Sequence, residues 1–384
     1  MIEWAMDNIK SWKGQAQAFN PRSPIQVKQL CLEELELPVN PHYDGSYDLG
    51  KEVLGKFENK YPVLKEILKF RSVKSILSNF VAKWHLFTGP DNCIHTVYTQ
   101  DITATGRLSS KQMNLQNMPK AHPVRKSIHS RYKNGLLVAA DYVQVEPMIL
   151  AGMSDDKNMK KAFAEMLDLH LYTAAQIYNL DYDELKAAYD SGDKEAIKKR
   201  FHGKQMNLGM GYGITKYGLS DYTGVSINKA EAMIEKYNTS FPDVYEFRLN
   251  LHWQAMNNGY VCDLFGRRRH LPGAKSSNRG TQNRALRQAG NFPGQSTANY
   301  FCLISLCILR ELIKERNIRM VIIGAEHDKL YLDIDREWQS EALETTQEAM
   351  LVHNEMEYWE PTGIDLRVDV QGGKNLYEME EILV

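Results

Sequence analysis

Two aspartates and one stripe of cations are the residues of this sequence best suited to chemistry. Asp141 nearly closes the run Leu-Leu-Val-Ala-Ala-Asp-Tyr-Val at 136–143, which reads as a buried strand. A carboxylate there is costly unless charge is wanted. Asp328 sits in Glu-His-Asp-Lys, between the apolar run 321–323 and an alternating strand at 330–334. If these strands are neighbours, the two acids meet at one sheet edge, where like charges repel and a divalent cation is the natural remedy. Mg²⁺ suits such a site, because it takes hard oxygen ligands and keeps waters or phosphates in its remaining positions. After Asp193, the residues Arg200, Lys204, Leu208 and Tyr212 recur every four positions and share one helix face if the helix continues through Gly209 and Gly211. The cations match phosphate oxygens, and the last two side chains suit a flat organic ring. That order has the polarity of a nucleoside triphosphate. Asn207 and the glycines at 209, 211 and 213 are expected to lower bulk beside the stripe. Gly209–Gly213 is not a phosphate-binding glycine loop, since it lacks the Gly-Lys-Ser/Thr ending and the preceding strand.

The elements that must position these residues are mostly helical. The apolar residues Val63, Leu64, Ile67, Leu68, Val73, Ile76, Leu77 and Phe80 predict a helix from Tyr61 to about Trp84. Lys60, Lys65, Lys69, Arg71, Lys74 and Lys83 alternate with them, either as a solvated face or against a nucleic-acid backbone. Segment 40–50 is a polar, turn-rich insertion. Glu146-Pro147 suits a helix start, a long helical region runs from about 154 to 264, and a further helix covers 296–316. Two strand groups separated by a helical block suggest a sheet-bearing domain with a helical insertion. The 384 residues carry 47 Lys and Arg against 48 Asp and Glu, which excludes a histone-like basic surface but not a local basic cleft. Five cysteines do not form a disulfide framework, and Cys302 and Cys307 lack the close partners of a zinc site. Charges are expected to interrupt every apolar run before it could span a membrane, and the opening Met-Ile-Glu-Trp-Ala-Met-Asp is not expected to act as a secretory signal.

Several blocks in a fixed order resemble the family A DNA polymerases, the type of bacterial DNA polymerase I. They are TGRLSSKQMNLQNMP at 105–119, DYVQVEPMILA at 141–151, DLHLYTA around Asp168 and His170, RFHGKQMNLGMGYG at 200–213, FGRRRHLP at 265–272, RQAGNFPGQSTAN at 287–299 and EHDKL at 326–330. Phe19-Asn20 with Ser23-Pro24 is similar to a thumb segment. The resemblance implies an α+β right-hand fold with an antiparallel-sheet palm, helical fingers and a helical thumb. Thumb would cover 1–95, palm 96–165 and 283–384, and fingers 166–282. It implies two Mg²⁺ ions, with Mn²⁺ able to substitute, held by Asp141, Asp328 and the main-chain carbonyl of Tyr142. It implies nucleotide contacts from Gln144, Glu146, His170, Arg200, Lys204, Leu208 and Tyr212. Lys204 would also donate a proton to the leaving pyrophosphate, and Glu146 would close the space beside the sugar C2′. Arg107, Asn114, Arg287, Asn291, Gln295 and His327 would surround the primer terminus and duplex minor groove, whose acceptors are nearly common to all base pairs. Primer-template DNA and deoxynucleoside triphosphates would be the partners of a cytoplasmic monomer, in a bacterium or phage-infected host, with a separate exonuclease or processivity factor as a further partner.

Departures from the family pattern stand beside these matches. Lys329 follows Asp328 where the family usually carries glutamate, and a lysine cannot ligate Mg²⁺. Strand alternation is expected to turn it away; turned inward, it would lower the pKa of Asp328. Leu208 replaces a common aromatic residue, Phe201 stands where a second arginine is frequent, and Lys111-Gln112-Met113 and Gln295–Asn299 match loosely. Together they suggest a divergent phage or viral branch. The 104 residues before Thr105 read as thumb, so the chain is expected to have no proofreading nuclease of its own. Reverse transcription stays open as a side activity, because template choice depends on subtle groove contacts.

Overall fold

The computed structural model describes residues 19–39, 41, 46–119 and 122–382. Residues 40 and 42–45 of the turn-rich segment lie outside them. The chain divides into one unit of residues 1–97 and 110–118 and a second of 98–109 and 119–384.

The first unit is helical. Ser23 caps the helix Pro24–Gln29 by accepting from the Gln26 amide, and proline at the first helical position needs no donor. Val27, Leu30, Cys31, Leu54, Leu64 and Ile67 form its core. The helix expected from Tyr61 to Trp84 spans Pro62–Asn79, and its apolar stripe is only half used: Val73 and Leu77 are exposed. Arg71 is half-buried and already engaged. Its Nε donates to the Pro21 carbonyl at 2.7 Å and its Nη1 to that of Leu49 at 3.0 Å, so it ties two loops to the helix.

The second unit is built on a five-stranded antiparallel sheet. Its strands are β1 (Gly135–Tyr142), β2 (Met320–Glu326), β3 (Lys329–Asp335), β4 (Val368–Gly373) and β5 (Met379–Glu381), in the order β2-β3-β1-β4-β5. Register follows from the period of two. Leu136, Val138 and Ala140 pair with Ile334, Leu332 and Leu330, which sets one apolar face. That face packs on Ala298, Phe301, Cys302 and Leu309 of a long helix and on Ala342, Leu343, Ala349 and Met350 of the helix Gln339–Leu351. Each fully buried large aliphatic side chain there contributes about 1.5–3 kcal/mol. The opposite face carries Asp141, Lys329, Tyr331, Asp333 and Asp369, and so it is where polar chemistry can be displayed.

Four helices position the site: α1 (Val145–Ser154), α2 (Leu169–Tyr178), α3 (Lys194–Gly211) and α4 (Arg279–Glu315). Asp168 caps α2 and Asp193 caps α3, each accepting from amides of the first turn. The sequence predicts a helix at 296–316, whereas α4 is one helix of 37 residues with Pro293 inside it. The expectation that charge interrupts every long apolar run also needs correction. Residues 288–309 hold no Asp, Glu, Lys or Arg. Among the described residues, α4 alone is long and apolar enough, by length and composition, to cross a membrane. Its side chains Ala298, Phe301, Cys302 and Leu309 help cover the sheet, while Ala289 and Phe292 pack in a separate core with Leu251 and Val261.

Candidate active site

The two acids do meet. β1 and β3 are hydrogen-bonded neighbours, and Asp328 with His327 forms the tight turn between β2 and β3. His327 is exposed and takes a positive φ of 61°. The amide of Tyr142 donates to the Asp328 carbonyl at 3.3 Å, which pins this turn to the end of β1. Burial, and then the charge of Asp141, push the Asp328 carboxyl up to about 6. Cys302 lies buried beneath the pair; desolvation first, then both aspartates, push its thiol up to about 12. Tyr142 sends its side chain into the core, where its hydroxyl donates to the Met350 carbonyl at 2.6 Å. No cluster of three or more His, Cys, Asp and Glu side chains suited to a metal occurs among the described residues. Two carboxylates that repel each other fit Mg²⁺, which needs few protein ligands and hard oxygens.

Lys329 does not turn away. It is the register partner of Asp141 on the same face, and its Nζ lies 2.8 Å from Asp141 Oδ2. Alternation does separate it from Asp328, but onto the other acid of the pair. The lysine accordingly does not lower the Asp328 pKa, which burial and the Asp141 charge raise instead. Asp369 flanks Asp141 on the opposite side, from β4.

A second cluster lies beyond β1. Gln144 sits in the left-handed region at φ 48°, a conformation that costs a residue with a Cβ roughly 1–2 kcal/mol, and turns the strand into α1. The carboxylate of Glu146, in the first turn of α1, is bound by Arg107 Nη2 at 2.5 Å. Tyr212 at the end of α3 also bonds Glu146, and Gln295 Nε2 donates to its hydroxyl at 2.6 Å. Burial and then the Glu146 charge raise the Tyr212 phenol. Beside this cluster, Glu146, Leu208, Tyr212, Asn291 and Gly294 help line an open cleft.

The α3 stripe forms as the spacing predicts. The helix runs to Gly211, with Lys204, Leu208 and Tyr212 exposed and Arg200 half-buried. Arg200 Nε binds Asp168 Oδ2 at 2.8 Å, and its guanidinium lies 5.2 Å from the centre of the Tyr189 ring. Asn207 is buried beside the stripe, where it helps line the same cleft as Leu208 and Tyr212, and its head group turns toward α2. Its Oδ1 accepts from Thr173 Oγ1 at 2.9 Å, so its amide nitrogen faces His170 Nδ1 at 3.1 Å. That bond assigns the His170 proton to Nε2. Burial pushes the His170 pKa down to about 4, so the ring is a neutral donor at ordinary pH. Gly203 lets α3 approach α2: a Cβ there would lie 2.0 Å from the His170 carbonyl oxygen.

On α4, Arg287, Asn291 and Gln295 are spaced four apart on one face. Arg287 is exposed and lies over Gly213, whose positive φ of 63° and close neighbour both suit glycine. The Asn291 Oδ1 is buried with no hydrogen-bond partner. Asn114 belongs to the first unit, where its side chain caps the short turn Leu115–Asn117. Apart from Asn114, every residue singled out for chemistry therefore lies in the second unit. Sequence reading overlooked Asp168 as the anchor of Arg200, Asn207 as the group that sets the His170 tautomer, and Asp369. The aspartate preceding an α2 start and an asparagine amid buried positions were the available signals; Asp369 carried none.

A family model, DNA polymerase family A, matches residues 2–378. The chain is 31% identical over 360 residues to DNA polymerase I of Treponema pallidum, covering 93% of this chain and 34% of that protein. It is also 31% identical over 367 residues to DNA polymerase I of Bacillus subtilis, covering 94% of this chain and 40% of that one. The chain thus spans about two fifths or less of these relatives' length. Its fold superposes on the POL domain of Pol1 from M. smegmatis, a complex with DNA primer-template and dNTP, with a TM-score of 0.84, 29% identity, 98% of this chain and 64% of that one. The architecture is accordingly that of a right-hand polymerase, an antiparallel sheet surrounded by helices, and the chain belongs to DNA polymerase family A.

Proposed function

We propose that this chain extends a primer 3′-hydroxyl with deoxynucleotides under the direction of a template and releases pyrophosphate. The observation that carries the reading is the meeting of Asp141 and Asp328 at the end of β1, with the cleft of Glu146, Leu208 and Tyr212 and the cations of α3 in the same unit. Asp141, Asp328 and the Tyr142 carbonyl would hold divalent metal. Mg²⁺ bound there would supply Lewis-acid stabilisation of charge on the phosphates and a lower pKa for the primer hydroxyl. Arg200 and Lys204 would bind the triphosphate, and Lys204 would protonate the leaving group. His170 would donate Nε2–H to a phosphate oxygen without changing charge. Arg107, Arg287, Asn291, Gln295 and His327, with Asn114 of the first unit, would meet the primer-template; the unpaired Asn291 oxygen supports a ligand donor there. In this assignment residues 1–95 are the thumb, 96–165 and 283–384 the palm and 166–282 the fingers. The family match over residues 2–378 supports the polymerisation reading. The substitutions at Phe201, Leu208 and Lys329 support a divergent branch. Primer extension with matched DNA and RNA templates tests the reading: extension on neither would reject it.

Two further outcomes are expected. Arg200→Ala and Lys204→Ala each remove a charge-assisted contact of about 1.5–3 kcal/mol, so half-saturating dNTP should rise roughly 10–100-fold in single-turnover kinetics. Unchanged saturation and maximal rate in both would place the stripe elsewhere. Glu146 is held by Arg107 and Tyr212 and bonds no backbone donor in α1, so its carboxylate is a fixed wall. Glu146→Ala should raise the rNTP-to-dNTP ratio of kcat/KM by about tenfold or more even as total activity falls. A fixed ratio with measurable activity would reject the steric role.

A further inference from the structure

Lys329 carries an inference beyond the two-carboxylate metal site and rests on that reading. Its place is enforced by register: in antiparallel pairing, directly opposed residues share a face, and Lys329 is opposed to Asp141 on one side and Glu326 on the other. Glu326 is already engaged. It accepts from the Tyr331 hydroxyl at 2.8 Å and lies 3.9 Å from Arg125 Nη2. The lysine ammonium instead lies 2.8 Å from Asp141 Oδ2, and its side chain is 14% exposed against 33% for Asp141. Asp369 adds a second negative group beside Asp141 from β4. A cation is thus tethered to an oxygen of the acid that the metal reading assigns as a ligand.

We propose that Lys329 is an internal counter-cation, which neutralises Asp141 when no metal is bound and gives up the carboxylate as a divalent cation arrives. The long methylene stem lets the ammonium withdraw without moving the backbone. Breaking a half-buried ion pair opposes metal entry, so this chain should need about tenfold more divalent cation than it would without the lysine. The same contact should hold the acidic edge together in the apo protein.

Mn²⁺ alone is the probe. Free Mn²⁺ is titrated by electron paramagnetic resonance against the full chain bound to a primer-template with a dideoxy-terminated primer, so that no turnover contributes. Lys329→Met should bind Mn²⁺ about tenfold more tightly than wild type, while Lys329→Arg should resemble wild type. In melts, Lys329→Met should be less stable than wild type in EDTA and gain more on adding Mn²⁺. Loss of Mn²⁺ binding in Asp328→Asn, with equal or weaker binding in Lys329→Met than in wild type, would overturn the counter-cation and leave the metal site standing. Equal binding by wild type, Asp141→Asn and Asp328→Asn would overturn the metal reading and the counter-cation with it. Lys329→Gln, an uncharged head group of similar reach, replaces the methionine variant if that one does not fold.

Discussion

Asp328→Asn is expected to slow primer extension by about three orders of magnitude or more while making the metal-free protein more stable. The first effect follows from losing one of two charged oxygen ligands, a change worth several kcal/mol in the transition state. The second follows from linkage. The carboxyl of Asp328 titrates near 6 in the fold against an ordinary 3.8, so the folded state binds its proton more tightly than the unfolded state does. The resulting penalty is absent below about pH 4, grows between 4 and 6, and is complete above 6, where it is on the order of 3 kcal/mol. Asparagine removes it. In EDTA, the variant should therefore melt higher than wild type at pH 8, and the two should converge at pH 4. Asp141→Asn should abolish extension equally but lower stability, because it strands Lys329 without its carboxylate. Duplex affinity should stay near wild type in both. Near-normal extension by Asp328→Asn would remove the metal assignment, and a pH-independent difference in melting would remove the electrostatic account of the pair.

Gly203→Ala is the second large effect. The added methyl would sit 2.0 Å from the His170 carbonyl oxygen and 3.0 Å from the Ala174 nitrogen. Both are backbone atoms within α2, so no rotamer change relieves the contact and the two helices must separate. Overpacking of this kind costs about 1–3 kcal/mol or more. Separation also stretches the Asn207–His170 bond that assigns the ring proton and displaces Asp168 from Arg200. Half-saturating dNTP should rise by more than tenfold, a loss of the order of a single charge-assisted contact. The melting temperature should fall by several degrees. Gly211→Ala provides the control, since nothing lies within 4 Å of its added methyl. Equal behaviour of the two variants would show that α2 and α3 tolerate separation and that His170 does not depend on it.

His170 sets a limit on the pH behaviour to be expected. With its pKa pushed down to about 4 by burial, it stays neutral across the working range. A loss of extension below pH 6 should therefore trace to Asp328 and persist in His170→Gln.

Local order along the chain determined a good deal. A strand ending in Asp141, an acid between two further strands, a four-residue repeat of Arg200, Lys204, Leu208 and Tyr212, and the collinear blocks were legible because each is encoded within a short window by period, charge and turn chemistry. The neighbouring of β1 and β3, the burial of Asn207 and the paired state of Arg200 were decided only by tertiary packing. Lys329 shows why. Alternation told that it points away from Asp328, but which residue it meets depends on the partner strand and its register, and those are set by burying Val138, Ala140, Leu330 and Leu332 together on the far face. The apolar face chose the pairing, and the polar face inherited an ion pair that no local pattern could state.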